Sequence, residues 1–411
     1  MLATACQKLL TETLDLPGSR VTGYQTLEGI GIFLELESES RQAICPHCGQ
    51  TSRRLHQNHR YLVRDLPMSG QSVYLRINRR QFKRKNCGKP FSEVLEHVDK
   101  NRTYTKRLAR AIIGQVLDSD IRSVAERNDL SDDEIQTILN ELGEQLIQEV
   151  PEGLKRLGID EISLVKGQGN YCAVLVDLDL RKPLMLLESR RQEELRQVFT
   201  GWGEEVLSRI VEASIDLWRP YRDLVEEMMP NATVVADRFH IMKIVNEELD
   251  KERRKEKKAA GKIESKAERE EKLEAINKTK YVLLKNEENL NSEQHEKLLN
   301  LAKEVPVLGK MHELKEEFRS VFDDFDNWLD GSYKLIFWLK KSKEYFPESY
   351  GTIVRWCGEI CGYFDQKTSS GIVEGINNKL KLIKRLGYGF RNFENFKTRA
   401  LLCWYFASKI A

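Results

Sequence analysis

An α+β multidomain protein with a mixed α/β core is predicted by three features of this sequence. Its 411 residues exceed one ordinary domain of roughly 150 residues. Apolar alternation near the start gives way to helical periodicity after Thr105, then returns as three consecutive alternating segments after Leu154. A charged, helix-favouring stretch separates that core from a basic end. A composition of 40% hydrophobic and 32% charged residues supports a buried core and excludes a disordered chain. With no apolar run of about 18 residues and no signal-like start, the expectation is a cytoplasmic protein without a membrane. Eight scattered cysteines then read as metal ligands or buried thiols.

The first domain is expected over residues 1–103. Residues 26–37 alternate like a strand and lead into Cys45-Pro46-His47-Cys48-Gly49, a tight turn that points two thiolates at one metal. The second knuckle reads Arg84-Lys85-Asn86-Cys87-Gly88, with arginine where a fourth thiolate would fall. Cys45, Cys48 and Cys87 with His56 or His59 are therefore the candidate Zn²⁺ ligands, against a rival reading in which the ribbon is held by its own core. Between the knuckles, residues 61–67 and 72–82 have the period-two pattern of short strands with arginines on one face. Arg76, Arg79, Arg80, Lys83 and Lys85 are candidate DNA contacts there.

The charge distribution favours nucleic acid. Residues 41–110 hold 17 Lys and Arg against 4 Asp and Glu, residues 111–240 hold 14 against 26, and residues 371–411 hold 8 against 2.

Residues 104–150 fit a helix-turn-helix. Val124 and Ala125 lie on its first helix, Leu130 closes the turn, and Ser131 caps a second helix with Ile135, Ile138 and Leu139 inside. Asp132, Asp133 and Glu134 would repel phosphates where bases are usually read, so a packing role competes with sequence reading.

Over residues 151–242, three antiparallel strands are expected first. A helix at 192–209, a strand ending at Asp216, a helix at 221–229 and a strand ending at Asp237 follow. That order is the order of a ribonuclease-H-like core, whose site is a cluster of acids at strand ends. Asp160 stands between apolar residues within the first strand, and a buried carboxylate there requires a cation. A further acid is offered by Glu374, in the first turn of a helix capped by Ser369 or Ser370. The 56 residues from Asp160 to Asp216 suffice for two strands and a helix, but the 158 from Asp216 to Glu374 require a helical insertion, expected at 243–363, whose later helices carry Trp328, Leu329, Trp338 and Trp356, the aromatics mainly in its core. Residues 364–411 return to the core with a basic tail, in which Lys379, Lys384, Arg385 and Arg391 are candidate DNA contacts.

The segments Gly158-Ile-Asp-Glu, Ser214-Ile-Asp-Leu-Trp-Arg-Pro-Tyr and Ala236-Asp-Arg-Phe-His-Ile, with the tail from Val373 through Leu386-Gly-Tyr-Gly-Phe-Arg-Asn-Phe, together resemble the ISL-three family of bacterial insertion-sequence transposases. The Cys-Pro-His-Cys-Gly knuckle does too. The resemblance covers nearly the whole chain in order, and departs from the family pattern at Arg84. It implies that Asp160, Asp216 and Glu374 are a DDE triad holding two Mg²⁺ (or Mn²⁺) ions, with Asp237 and His240 as an auxiliary pair. Asp160 would bridge both ions. The implied activity is cleavage and transfer of double-stranded DNA at transposon ends and target, by a homo-oligomer on DNA. Rival readings are a ribonuclease-H-like nuclease and a non-catalytic DNA-binding descendant.

Overall fold

The computed structural model describes residues 2–84, 87–100, 102–147, 150–163, 171–366, 371–388, 390 and 392–410. The chain divides into two compact units, residues 1–146 with 383–411, and residues 147–382.

In the first unit, helix α1 (Leu2–Leu14) precedes strands β1 (Ser19–Leu27) and β2 (Gly31–Ser38), where the sequence pattern suggested a single strand. Short β3 (Ala43–Ile44) and β4 (Thr51–Ser52) pair with each other. Strands β5 (Leu55–Met68) and β6 (Gln71–Lys83) form a long hairpin, and β7 (Pro90–Ser92) adds to β6, giving the order β1-β2-β6-β5 with β7 off its side. The expected short strands are thus 14 and 13 residues long, because pairing continues through the polar residues that interrupt the apolar pattern. Ser69 and Gly70, with φ of 52° and 76°, make the two-residue turn whose twist suits a hairpin. Val73, Leu75 and Ile77 alternate inward against Leu34, Leu36 and Val63.

Helices α2 (Lys106–Asp118), α3 (Ile121–Asn128) and α4 (Asp132–Ile147) follow. Val124, Ala125, Ile135, Ile138 and Leu139 are buried together as the sequence pattern requires. Ser131 and Glu134 form a reciprocal cap: the Glu134 carboxylate accepts from the Ser131 backbone at 2.9 Å, and the Ser131 hydroxyl accepts from the Glu134 backbone at 3.2 Å. Residues 383–411, read from the sequence as a tail of the core, cluster here instead. Leu402 of the last helix is buried among Ile112, Val116 and Ile135.

The second unit is built on a five-stranded sheet. Its strands are β8 (Arg156–Ser163), β9 (Tyr171–Asp177), β10 (Lys182–Leu187), β11 (Glu212–Ile215) and β12 (Thr233–Ala236), in the order β10-β9-β8-β11-β12. β8, β9 and β10 are antiparallel, whereas β8, β11 and β12 are parallel. The single helix expected at 192–209 is two, α5 (Gln192–Trp202) and α6 (Glu204–Leu207), because Gly203 at φ 83° breaks it. Helix α7 (Arg219–Met228) joins β11 to β12, and α8 (Arg238–Ala260) leaves β12.

The insertion comprises α9 (Lys266–Ile276), α10 (Lys280–Leu284), α11 (Ser292–Glu304), α12 (Pro306–Asp323), α13 (Trp328–Ser342), α14 (Pro347–Arg355) and α15 (Cys357–Gln366). It shares one apolar core with the sheet, in which Trp338 and Trp356 are buried. Trp328, expected there, is 47% exposed, and Leu329 beside it 59%, because they open α13 on its solvent side. Gly362 of α15 lies so close to β12 that a Cβ would meet the Val234 carbonyl at 3.1 Å. Helices α16 (Gly371–Leu386) and α17 (Phe393–Ile410) complete the chain.

Candidate functional site

Register brings the aspartates together. Ile159 pairs with Ile215, and Ile215 with Ala236, so Asp160, Asp216 and Asp237 each occupy the next position along three adjacent parallel strands. Residues level across a parallel sheet share a face, and the carboxyl ends of such strands form a crevice. Asp160 lies within β8, while Asp216 and Asp237 stand just past the ends of β11 and β12. Asp237 also caps α8, its carboxylate accepting from the Phe239 backbone at 2.7 Å.

Helix α16 supplies the other wall. A Cβ on Gly158 would meet Val373 at 3.3 Å, so the start of α16 packs directly on β8. One residue on, Glu374 faces a cleft of about 300 Å³ that it lines with Asp160, Asp237, His240, Asn377 and Lys381. One turn further along α16, the Asn377 amide donates to Asp160, whose other oxygen accepts from the Glu161 backbone at 2.6 Å. Ser369 and Ser370, the expected caps of this helix, lie outside the described residues.

The acids strain one another electrostatically. Burial raises the Asp216 carboxyl to about 7; the His240 contact offsets part of this, and the charge of Asp160 adds to it. Burial likewise lifts Asp237 to about 6, with Asp160 and Glu374 adding to the shift. His240 Nδ1 meets Asp216 in an ion-pair contact. Burial opposes its positive charge, but that contact and the nearby acids outweigh the penalty and hold the imidazole above its ordinary pKa. Ligand atoms of Asp160, Asp216 and His240 all lie within 4.8 Å of one another.

Asn377 and Arg190 escaped the sequence reading. Asn377 was legible in principle, standing three residues after Glu374 on one helical face. Arg190 was not. It reaches Glu161 at 2.9 Å and lies over the Tyr171 and Trp218 rings, contacts that only the assembled sheet creates.

A second cluster lies in the first unit. Cys45, Cys48 and Cys87 place their sulfurs within 4.8 Å of one another. Gly49 and Gly88, both at φ 68°, close matching turns in which their N–H groups reach the carbonyls of Cys45 and Arg84 at 2.9 and 3.0 Å. Arg84 therefore stands where the first turn has Cys45, and its guanidinium lies 4.0 Å from Cys48. The Gln50 backbone lowers the pKa of the Cys48 thiol, and its hydrogen bond with Cys48 pushes Cys87 up to about 11. His56 does not join the cluster: β5 carries it along an exposed strand, and among the described residues three sulfurs make up the group.

The expected DNA contacts differ in their freedom. Arg76 is held by Glu35 at 3.0 Å and stacks over Phe33, and Arg80 is bound by Glu93 at 2.7 Å. Glu93 is nearly buried beneath Arg80, whereas Arg76 and Glu35 are each 38% exposed, a weak surface pair that leaves the Arg76 guanidinium within reach of solvent. Arg79 lies on the opposite face of β6 and donates to the Glu93 carbonyl at 3.2 Å. Lys83 is half-buried, as are Lys379 and Lys384, whereas Arg385 is exposed. Lys85 and Arg391 lie outside the described residues. Among the described residues no helix is long and apolar enough to cross a membrane.

Comparison with known proteins matches three successive segments of this chain. Residues 41–87 match the zinc-finger of transposase IS204/IS1001/IS1096/IS1165, and residues 93–143 the helix-turn-helix domain of transposase family ISL3. Residues 157–400 match the ISL3 transposase domain. The chain is 26% identical over 374 residues to the transposase for insertion sequence element IS1001 of Bordetella parapertussis, covering 90% of each. It is 30% identical over 273 residues to the transposase for insertion sequence element IS1557 of Mycobacterium tuberculosis, covering 61% of this chain and 60% of that one. With zinc finger, helix-turn-helix and transposase domain matched in order, and the last spanning more than half its length, the chain belongs to the ISL3 family of transposases.

Proposed function

We propose that this transposase uses a ribonuclease-H-like core for DDE chemistry: binding the ends of its insertion sequence, cleaving DNA strands and transferring them to a target. The observation that carries the reading is the level row of Asp160, Asp216 and Asp237 across parallel strands, with Glu374 facing it from α16. The donor set of Asp160, Asp216 and Glu374 suits a hard cation: all are carboxylates, and burial with the neighbouring charge of Asp160 raises the pKa of Asp216, a cost that a bound cation would relieve. Asp160, Asp216 and Glu374 would hold Mg²⁺ or Mn²⁺ as two ions, supplying activation of the attacking hydroxyl and stabilisation of the leaving oxygen.

The remaining roles belong to side chains. Asn377 fixes Asp160 by donating to one carboxylate oxygen, leaving the charge directed into the cleft. Lys243 and Lys381, also on the cleft wall, attract the phosphate. His240 holds Asp216 and, with its raised pKa, keeps a proton near the reacting phosphate. In the first unit, the three cysteines would hold a structural Zn²⁺. Exposed basic residues such as Arg385 contact phosphates of double-stranded DNA, on which copies of the chain assemble as a homo-oligomer.

The test is cleavage of a duplex carrying the element's own ends by the full chain, with Mg²⁺ or with EDTA. Metal-dependent nicks at the element boundary and joined products are expected. Cleavage that persists in EDTA, or in Asp160→Asn, would overturn the reading.

A further inference from the structure

A second pocket adjoins the acidic cleft. It lies between α8 and α10, has a volume of about 310 Å³, and shares Phe239 and Lys243 with the cleft. Its lining is chiefly apolar, from Phe239, Met242 and Leu284. Phe239 is 45% exposed, at the first turn of a helix whose Asp237 cap fixes its position. On the same wall, the Asn246 Oδ1 is buried without a hydrogen-bond partner. A buried acceptor left unpaired is costly, and a ligand that donates to it recovers that cost. Lys243 and Lys280 sit at the rim. Asp250 is met by Arg253 at 2.8 Å and Arg254 at 3.3 Å, whereas Lys243 and Glu247 are exposed side chains 4.0 Å apart, a weak pair that leaves Lys243 able to meet a phosphate.

We infer that this pocket receives one unpaired nucleobase, swung out of the duplex next to the phosphate held in the cleft. The inference rests on the proposed catalytic reading of that cleft. A flat ring with two apolar faces matches Phe239, Met242 and Leu284, a single base fits the volume, and the sugar-phosphate on either side of it meets the two lysines. The unpaired Asn246 acceptor adds selectivity. It favours a base with an exocyclic amino group (adenine, cytosine or guanine), which projects its donor at the edge, over thymine, whose one N–H lies between two carbonyl oxygens that the Asn246 oxygen would face. Because the pocket and cleft share Phe239 and Lys243, the base concerned lies within a nucleotide or two of the scissile phosphate.

The experiment uses the full chain and duplexes of the element's end carrying 2-aminopurine at successive positions around the cleavage junction, with Ca²⁺ replacing Mg²⁺. Emission of this analogue rises when it leaves the stack. A several-fold rise is expected at one position beside the junction, abolished by Leu284→Trp, which fills the pocket. Asn246→Leu serves as a second variant. It retains the rise but loses the wild-type preference for an amino-bearing base at that position, read as relative cleavage rates in Mg²⁺. No rise at any position, or the same rise in Leu284→Trp and an unchanged base preference in Asn246→Leu, would overturn the inference. The catalytic reading stands or falls separately, on cleavage of the unmodified duplex by the wild-type chain.

Discussion

The cysteine cluster and the acidic cleft are both groups of metal-ligand type, but they are assembled at different levels of structure. Two matching turns and one hairpin suffice to gather Cys45, Cys48 and Cys87, with Cys48 at the surface. The acids need three strands in register, a helix from a distant part of the sequence, and burial. Cysteines near the surface can exist without a cation by staying protonated, as neutral thiols. Buried carboxylates a few ångströms apart repel one another until a proton or a cation arrives. Damage to the first should therefore stay local, and damage to the second should show in both chemistry and electrostatics.

The largest effect expected is at the acids. Asp160→Asn, Asp216→Asn and Glu374→Gln should each lower strand cleavage by about 10³-fold or more, consistent with losing the charge that holds the cation, with DNA affinity nearly intact in a gel-shift assay. Asp237→Asn should give a partial loss. Full activity in the Asp216 variant together with none in the Asp237 variant would reverse the assignment of the second acid.

Asn377→Leu is expected to cost about 10- to 100-fold in cleavage, the range for losing a partner that orients a ligand. A higher Mg²⁺ concentration should restore part of the loss if the amide acts by positioning Asp160. A loss that no Mg²⁺ concentration alters would show that it acts otherwise.

At the cysteines, Cys87→Ser should abolish bound zinc by elemental analysis and lower protection of the β3–β4 turn from proteolysis, leaving the acidic cleft as it was. Arg84→Cys should have the opposite effect, raising zinc retention against a chelator by supplying a fourth thiolate where the second turn mirrors Cys45. No gain in retention would show that the first turn's geometry is not reproduced by the second.

The smallest effect is on stability. Asp216 and Asp237 ordinarily titrate near 3.8 but at about 7 and about 6 in the folded chain, so the folded state binds more protons than the unfolded state between those values. The metal-free chain should therefore lose stability as pH rises from about 4 to about 7, by several degrees in Tm. Mg²⁺ should raise Tm more at pH 8 than at pH 5. An equal effect at both values would mean that the cation does not bind these carboxylates.

Local chemistry made much of this legible in the sequence. Ser131 and Glu134 at cap spacing, Gly49 after a Cys-x-x-Cys turn and apolar alternation in β8 and β9 each specify structure over a few residues. The assignment of Asp160, Asp216 and Glu374 as a triad rests on the resemblance of their motifs to the family, not on local chemistry. Tertiary structure alone decided the rest. Arg76 meets Glu35 of β2 and Arg80 meets Glu93, just past β7, only because strand pairing brings them near, and His56 stays away from the cysteines because the same pairing fixes where β5 runs. Asn377 reaches Asp160 because Val373 packs on a glycine far away in sequence. Periodicity records which face of an element is buried, but not which distant side chain will meet it. That choice is made by packing, where register and the absence of a single Cβ determine which polar groups come within hydrogen-bond reach.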